Sequence, residues 1–281
     1  MSVRKAAVSG SFYPLDRKEL SDLIRACYLH PLGPGRLPPE SPTAERAVAV
    51  VAPHAGYAYS GPVAAHSYLH ASCLRDPEVV VVVAPNHYAV GDGVSTFRDG
   101  FWETPLGRMR VDKDAAEAFV EAAGVASFDP DAHRLEHSLE VQLPFLQQLY
   151  GDAVRLLPVS LIYQDPETAK SVAAGVLKAI RGKRAVVIAS SDMTHYEPAA
   201  DAAKKDSAVL REVEEEDVGA FYSALERLNV TACGFGPIAA VMEVAKGLGL
   251  ARGELLKYAT SGDTTGDNLQ VVGYASLRFV R

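Results

Sequence analysis

Apolar residues follow two rhythms along this chain. In three places they run without interruption: A-V-A-V-V-A at 47–52, V-V-V-V-V-A at 79–84 and A-V-V-I-A at 185–189. A run apolar at every position suits a strand buried on both faces, as in a parallel sheet. Pro53 and Pro85 close the first two runs, because proline donates nothing to a sheet ladder. Between these runs the spacing is helical. Asp16, with Glu19 three residues on, forms a capping-box start, and Leu20, Leu23, Ile24 and Cys27 follow on one face. Cys27 is therefore expected to be a packing residue.

The other segments follow from the same rules. Residues 4–14 predict a short strand and turn, and 31–43, with five prolines, a loop. Gly61-Pro62 is expected to open a helix. It carries His66 and His70 at i,i+4, but without the glutamate of a zinc-protease motif, so one interior and one surface histidine is the reading. Residues 88–111 predict a β-hairpin excursion, in which Trp102 lines a pocket or caps the core. Residues 113–123 and 166–181 predict helices, and 154–161 a strand. A helix over 134–150, kinked or restarted at Pro144, would put His137 and Glu140 on one face. Two helices are expected over 198–228 around the solvated run R-E-V-E-E-E-D, then one from 231–237 to about Gly247. Strands at 254–260 and 269–280 flank the turn S-G-D-T-T-G-D-N. The fold class is α/β, with a central mixed, largely parallel sheet flanked by helices, in one domain over 1–281.

Charge and composition narrow the function. A net charge of −7 argues against a nucleic-acid partner. The longest apolar run, 79–85, is far short of the ~20 residues of a membrane-spanning helix, and the N-terminus lacks a signal peptide's apolar region. Cys27, Cys73 and Cys233 are odd in number and far apart, which predicts no disulfide framework and a reducing cytoplasm. Scarce Asn and Gln fit a thermophile. Neither a phosphate loop nor a dinucleotide glycine pattern is present, so no nucleotide cofactor is expected.

Candidate chemistry sits where the strands end. Ligands in open α/β sheets bind beyond the carboxyl ends of strands. His54 follows the first run, His87 the second, and Ser190, Ser191, Asp192 and His195 the third. Neutral imidazole is the commonest protein metal ligand. Two histidines from separate exits could hold one ion with a third ligand from Asp192, His195 or Cys233. Cys233 precedes a helix start, a position expected to lower a thiol's pKa. The same groups also allow a metal-free arrangement, with Cys233 as nucleophile, His195 as base and Asp192 as orienting acid.

The motifs P-H-A-G-Y-A-Y-S-G-P-V-A-A-H, A-P-N-H, W-E-T-P-L-G, E-H-S-L-E-V-Q-L-P-F-L, S-S-D-M-T-H-Y and C-G-F-G-P-I resemble the Memo family nearly end to end. So do G-S-F-Y-P near the start and S-G-D followed by V-V-G-Y-A-S near the end. The resemblance implies a fold like that of class III non-haem iron extradiol dioxygenases. On it, His54 and His87 match the two iron-binding histidines, and His195 the acid/base histidine. Cys233 falls where those dioxygenases carry a ligand glutamate. A thiolate is softer than a carboxylate and is itself oxidisable, so the cysteine departs from the ring-cleaving pattern. The expected set is His54, His87 and Cys233 as ligands to iron or copper, with zinc admitted. His195 and Asp192 are the expected catalytic groups, with His137, Glu140, Tyr57 and Asp263 around them. The expected activity is redox chemistry on a small molecule. Alternatives are a peptide- or partner-binding module that uses the same cleft, since some family members are linked to signalling adaptor roles, and a Cys233–His195 thiol hydrolase or transferase.

Overall fold

A computed structural model of the protein describes residues 2–39, 47–250 and 252–281. The loop expected over 31–43 lies within the described residues only as far as 39. The three uninterrupted runs form the strands Ala47–Ala52, Val79–Pro85 and Ala185–Ser190. Ala185–Ser190 lies between the other two and pairs in parallel with both, Val187 opposite Ala49 on one side and Val81 on the other. Arg155–Leu161 extends the parallel block beyond Val79–Pro85, and Gly107–Val111 extends it further. The long strand Val271–Val280 runs antiparallel to Ala47–Ala52 and pairs with Arg252–Thr260 on its other edge, so the sheet is mixed but parallel at its centre.

Helices cover this block. Tyr57–Ala71 packs on Ala47–Ala52 and Val271–Val280, with Arg17–Leu29 outside it. Pro166–Ala179 packs between Lys113–Ala123 and Phe235–Gly247, the last of them also against the central strands. Every residue of Val79–Pro85 and Ala185–Ser190 is buried. That explains the lack of alternation: a strand covered on both sides has no polar face. Cys27 is buried in the core, and Trp102 caps it with the Arg4 guanidinium 4.6 Å above its ring. Among the described residues no helix is long and apolar enough to cross a membrane.

Two helix boundaries differ from expectation. The helix expected to open at Gly61-Pro62 begins at Tyr57, with Gly56 at its cap and Pro62 inside it. Its amino end is anchored instead by the Tyr57 N–H, which donates to the Phe12 carbonyl at 2.8 Å. Gly61 lets the neighbouring helix come close, since a Cβ there would lie 2.6 Å from Cys27 Sγ. The 134–150 helix is also shorter. Residues 134–139 are not helical, Glu140–Gln142 is a single 3-10 turn, and the α-helix is Leu143–Tyr150. Of the two expected outcomes at Pro144, a kink or a restart, the structure shows the restart, because the missing N–H costs nothing in a first turn.

Candidate metal centre

His54 leaves its strand into a polar but buried niche. The parallel register puts Ala52 opposite Ser190, and the Ser191 N–H donates to the Ala52 carbonyl at 3.0 Å. Ser190 Oγ therefore arrives beside the imidazole, 2.8 Å from Nδ1. The hydroxyl's own hydrogen goes to the Ser138 carbonyl at 2.7 Å, and Gln142 Nε2 donates to the same oxygen at 2.7 Å. With its one hydrogen committed, Ser190 Oγ can only accept from His54. The hydrogen of His54 thus sits on Nδ1, and Nε2 presents a lone pair to the cleft. Burial, reinforced by the charges of His137, His87 and His195, holds the His54 pKa well below the usual imidazole range, so the ring is neutral at neutral pH.

His87 leaves the Val79–Pro85 strand and meets Glu136. Glu136 Oε1 lies 2.9 Å from His87 Nδ1 and 3.4 Å from His137 Nδ1. Glu136 also accepts the His87 N–H at 2.5 Å and the Ser138 N–H at 2.9 Å. Burial opposes ionisation of Glu136, but the hydrogen bond and charge of His87, the Ser138 amide and His137 outweigh it and hold its pKa at about 2. The rings of His87 and His137 stack with centroids 4.6 Å apart, and that of His54 stands edge-on to both, at 5.2 and 5.6 Å. One ring nitrogen from each of His54, His87 and His137 lies within 4.8 Å of the other two. Burial also lowers the His137 pKa against the pull of Glu136. Phe12, from the G-S-F-Y-P segment, walls the site against His137, with ring centroids 4.8 Å apart.

Cys233 borders this trio. Its Sγ is 3.1 Å from His54 Nε2, and the Asp192 N–H points at the sulfur from 3.3 Å. Gly234 permits the approach, since a Cβ there would lie 2.3 Å from the Ser190 carbonyl. The thiol does not have the lowered pKa expected of a helix start. Burial, and after it the charge of Asp192, push it strongly upward, and the helix Phe235–Gly247 begins two residues later. Desolvation outweighs the helix end. Among the described residues the imidazole in contact with this sulfur is that of His54, not His195. His195 Nδ1 lies 3.0 Å from the Thr231 carbonyl, and its N–H donates to Thr231 Oγ1 at 2.8 Å. Asp192 Oδ1 accepts the His54 N–H at 2.8 Å. Burial raises the Asp192 carboxyl to about 6 against the pull of the His54 amide and His195.

Other expected neighbours sit elsewhere. Glu140 is fully buried, but its carboxylate pairs with Arg4 and Tyr13 and takes the Ala7 and Val8 N–H groups at 2.8 and 3.1 Å. It ties down the N-terminal segment and does not share a helix face with His137. The Tyr57 hydroxyl donates to the Val141 carbonyl at 2.7 Å, and its ring packs on Tyr13 and Phe145. Asp263 accepts from the Thr260 N–H and hydroxyl at its own turn. His66 bonds to the Leu32 carbonyl, and His70 is buried. Sequence reasoning missed Glu136 altogether. It also gave His137 a supporting place and overlooked that Ser190 fixes His54. The signal for Glu136 was its adjacency to His137 in E-H-S.

A family profile described as Memo-like protein matches residues 4–278. The MEMO1 family protein MK0963 of Methanopyrus kandleri is 47% identical over 280 residues, 99% of each chain. A MEMO1 family protein of Ignicoccus hospitalis is 44% identical over 282 residues, again 99% of each. A solved structure, the uncharacterized protein JW3007 from Escherichia coli K12, is similar in fold with a TM-score of 0.51 at 16% identity. It covers 83% of this chain and 99% of that one.

Proposed function

The chain belongs to the Memo family, and from that premise we propose that it is a transition-metal-binding protein with redox activity on a small molecule in the cleft. The observation that carries the reading is the convergence of three imidazole nitrogens within 4.8 Å of one another. Three atoms so spaced have a common point no farther than about 2.8 Å from any of them. Metal–imidazole bonds run ~2.0–2.1 Å, so closure asks less than about 0.8 Å of each ring. His54 and His87 are the proposed anchors, His137 the third nitrogen, and Cys233 a thiolate donor once its proton leaves. Imidazole with thiolate suits copper, iron or zinc. Iron or copper held there supplies redox chemistry, and zinc a Lewis acid.

The chain's own residues would do the rest. The His87 N–H and Nδ1 and the Ser138 N–H hold the Glu136 carboxylate against His87, Ser190 holds His54, and Phe12 covers one side. His195, its Nδ1 engaged by Thr231, offers Nε2 to accept a proton. Asp192, raised to about 6, is a carboxyl that can hold one in mildly acidic conditions.

Metal analysis of protein purified without chelator, beside the His54→Ala/His87→Ala double variant, tests the reading. Bound metal near one equivalent in the wild type and none in the variant is expected; equal content in both refutes the ligand assignment. Proton release then separates the donors. Because the Cys233 thiol is protonated at neutral pH, its ligation frees about one proton per metal beyond what Cys233→Ser releases. Calorimetry in buffers of different ionisation enthalpy measures this. No difference removes Cys233 from the ligand set and leaves His137 as the third donor.

A further inference from the structure

Glu136 touches both members of the stacked His87–His137 pair, yet nothing in the proposed ligand set includes it. We infer that Glu136 is the positioning residue of the centre: it dictates which nitrogen of His87 carries the hydrogen, and so whether that ring can bind metal. The inference rests on the metal-binding reading above.

The geometry leaves little freedom. Both oxygens of Glu136 already face unambiguous donors. Oε2 takes the His87 backbone N–H at 2.5 Å, and Oε1 takes the Ser138 backbone N–H at 2.9 Å. His87 Nδ1 lies 2.9 Å from Oε1. A carboxylic acid is a far stronger acid than an imidazole N–H, so the shared hydrogen belongs to nitrogen. His87 then carries hydrogen on Nδ1 and a lone pair on Nε2. The side chain of Glu136 is only 1% exposed, so water cannot take over this role. Its position is fixed from behind as well: Arg4 Nη2 donates to the Glu136 carbonyl at 2.6 Å.

Glu136 differs from Ser190, which does the equivalent work for His54. Ser190 is neutral, whereas Glu136 brings a negative charge and reaches a second ring, His137, at 3.4 Å. A carboxylate behind an imidazole makes the ring a stronger donor and offsets cation charge in a buried site. An amide in its place brings no charge, and in one of its two orientations it does the opposite. Glu136→Gln must keep an oxygen toward one donor and turn its NH2 toward another. If the NH2 faces His87 Nδ1, it can only donate, which moves the His87 hydrogen to Nε2 and blocks the ligand position.

Two measurements test this, with Co(II) as the probe. In metal-free protein, long-range 1H–15N correlation spectra report which nitrogen of His87 is protonated. Wild type should carry the hydrogen on Nδ1, and Glu136→Gln should add a population with it on Nε2. Co(II) affinity should fall about 10–100-fold in Glu136→Gln. Glu136→Asp, which keeps the carboxylate, should retain the Nδ1–H form and lie between the two in affinity; it carries the test if the glutamine variant does not fold. The inference is overturned if wild-type His87 carries hydrogen on Nε2. It is also overturned if a folded Glu136→Gln binds Co(II) as the wild type does. The His54→Ala/His87→Ala variant separates the two readings. If that variant binds Co(II) like the wild type, the metal-centre reading itself fails. If it loses Co(II) while Glu136→Gln keeps it, only the role of Glu136 fails.

Discussion

Replacing Glu140 with glutamine should be among the most damaging isosteric changes in this protein. The carboxylate is fully buried, and its partner Arg4 has a side chain only 3% exposed. Glu140 Oε2 faces Arg4 Nη1 and the Ala7 N–H, while Oε1 faces the Val8 N–H and the Tyr13 hydroxyl. All four are donors, so either orientation of a glutamine amide aims its NH2 at two of them. Arg4 keeps its other acceptors, the carbonyls of Lys5, His133 and Glu136, but loses the negative charge paired with it. Removing one partner of a buried ion pair costs about 3–5 kcal/mol. With an unfolding entropy near 2.1 cal/mol/K per residue, that corresponds to a Tm lower by roughly 5–8 °C for a chain of 281 residues. Differential scanning calorimetry of Glu140→Gln at neutral pH measures it. The double variant Arg4→Met/Glu140→Leu should recover much of the loss, because apolar pairs often replace buried ion pairs at little cost. A Glu140→Gln loss below about 1 kcal/mol would refute the claim that this pair holds the segment down. The Arg4→Met/Glu140→Leu variant should still lose metal affinity, because Arg4 grips the backbone at His133 and Glu136, just ahead of His137.

Other consequences follow from single contacts. Burial, and then Arg4, lower His133 to about 3 although the Ser95 backbone gives some support; burial, and then Arg278, lower His70 to about 4. Both take up protons near pH 6.5 only when unfolded, so stability is full above that pH and is lost as pH falls toward 4 and 3. The slope is at most about 1.4 kcal/mol per pH unit for each histidine, and urea melts of His133→Leu should show one such contribution gone. Gly61→Ala should cost about 1–3 kcal/mol by pressing a methyl onto Cys27 Sγ, and Cys27→Ala in the same chain should return part of it. A Gly61→Ala melt unchanged from wild type would contradict the close approach of the two helices.

Much of the site was legible because strand physics is local. An all-apolar run that ends in proline announces a buried strand and its exit, and His54 and His87 stand one and two residues beyond such exits. What was illegible depended on partners distant in sequence. Glu140 reads as a site carboxylate when 134–150 is taken as one helix, because positions three apart share a face. The chain is not helical there, since the Glu136 carboxylate draws the His87 and Ser138 amides to itself. The same misreading hid Glu136, because neighbours on a helix point about 100° apart and would not serve one centre. The lowered thiol pKa expected of Cys233 is absent for a different reason. A helix start lowers a thiol's pKa only where water still reaches it, and burial depth is not written in a motif.

The order of the sheet explains why these groups converge. His54 and His87 come from strands separated by one other, Ala185–Ser190, so that strand's exit lies between them. A bulky residue there would hold the histidines apart. The chain instead places Ser190, Ser191 and Asp192 at that point, small groups that hydrogen-bond sideways. Ser190 turns toward His54, Ser191 Oγ takes the Gly234 N–H at 2.9 Å, and Asp192 takes the His54 N–H. The middle exit thus draws in the Cys233 loop from one side, while Ser138 and Gln142, both bonded to Ser190, bring the Glu136–His137 segment from the other. The result is asymmetric. One imidazole rests on a neutral hydroxyl beside a protonated thiol, and two rest against a carboxylate. Glu136 sets its charge against the His87–His137 pair, while the Cys233 side, next to Asp192, holds the exchangeable proton, so loss of the Glu136 charge should show first as weaker binding and loss of sulfur as a changed proton count.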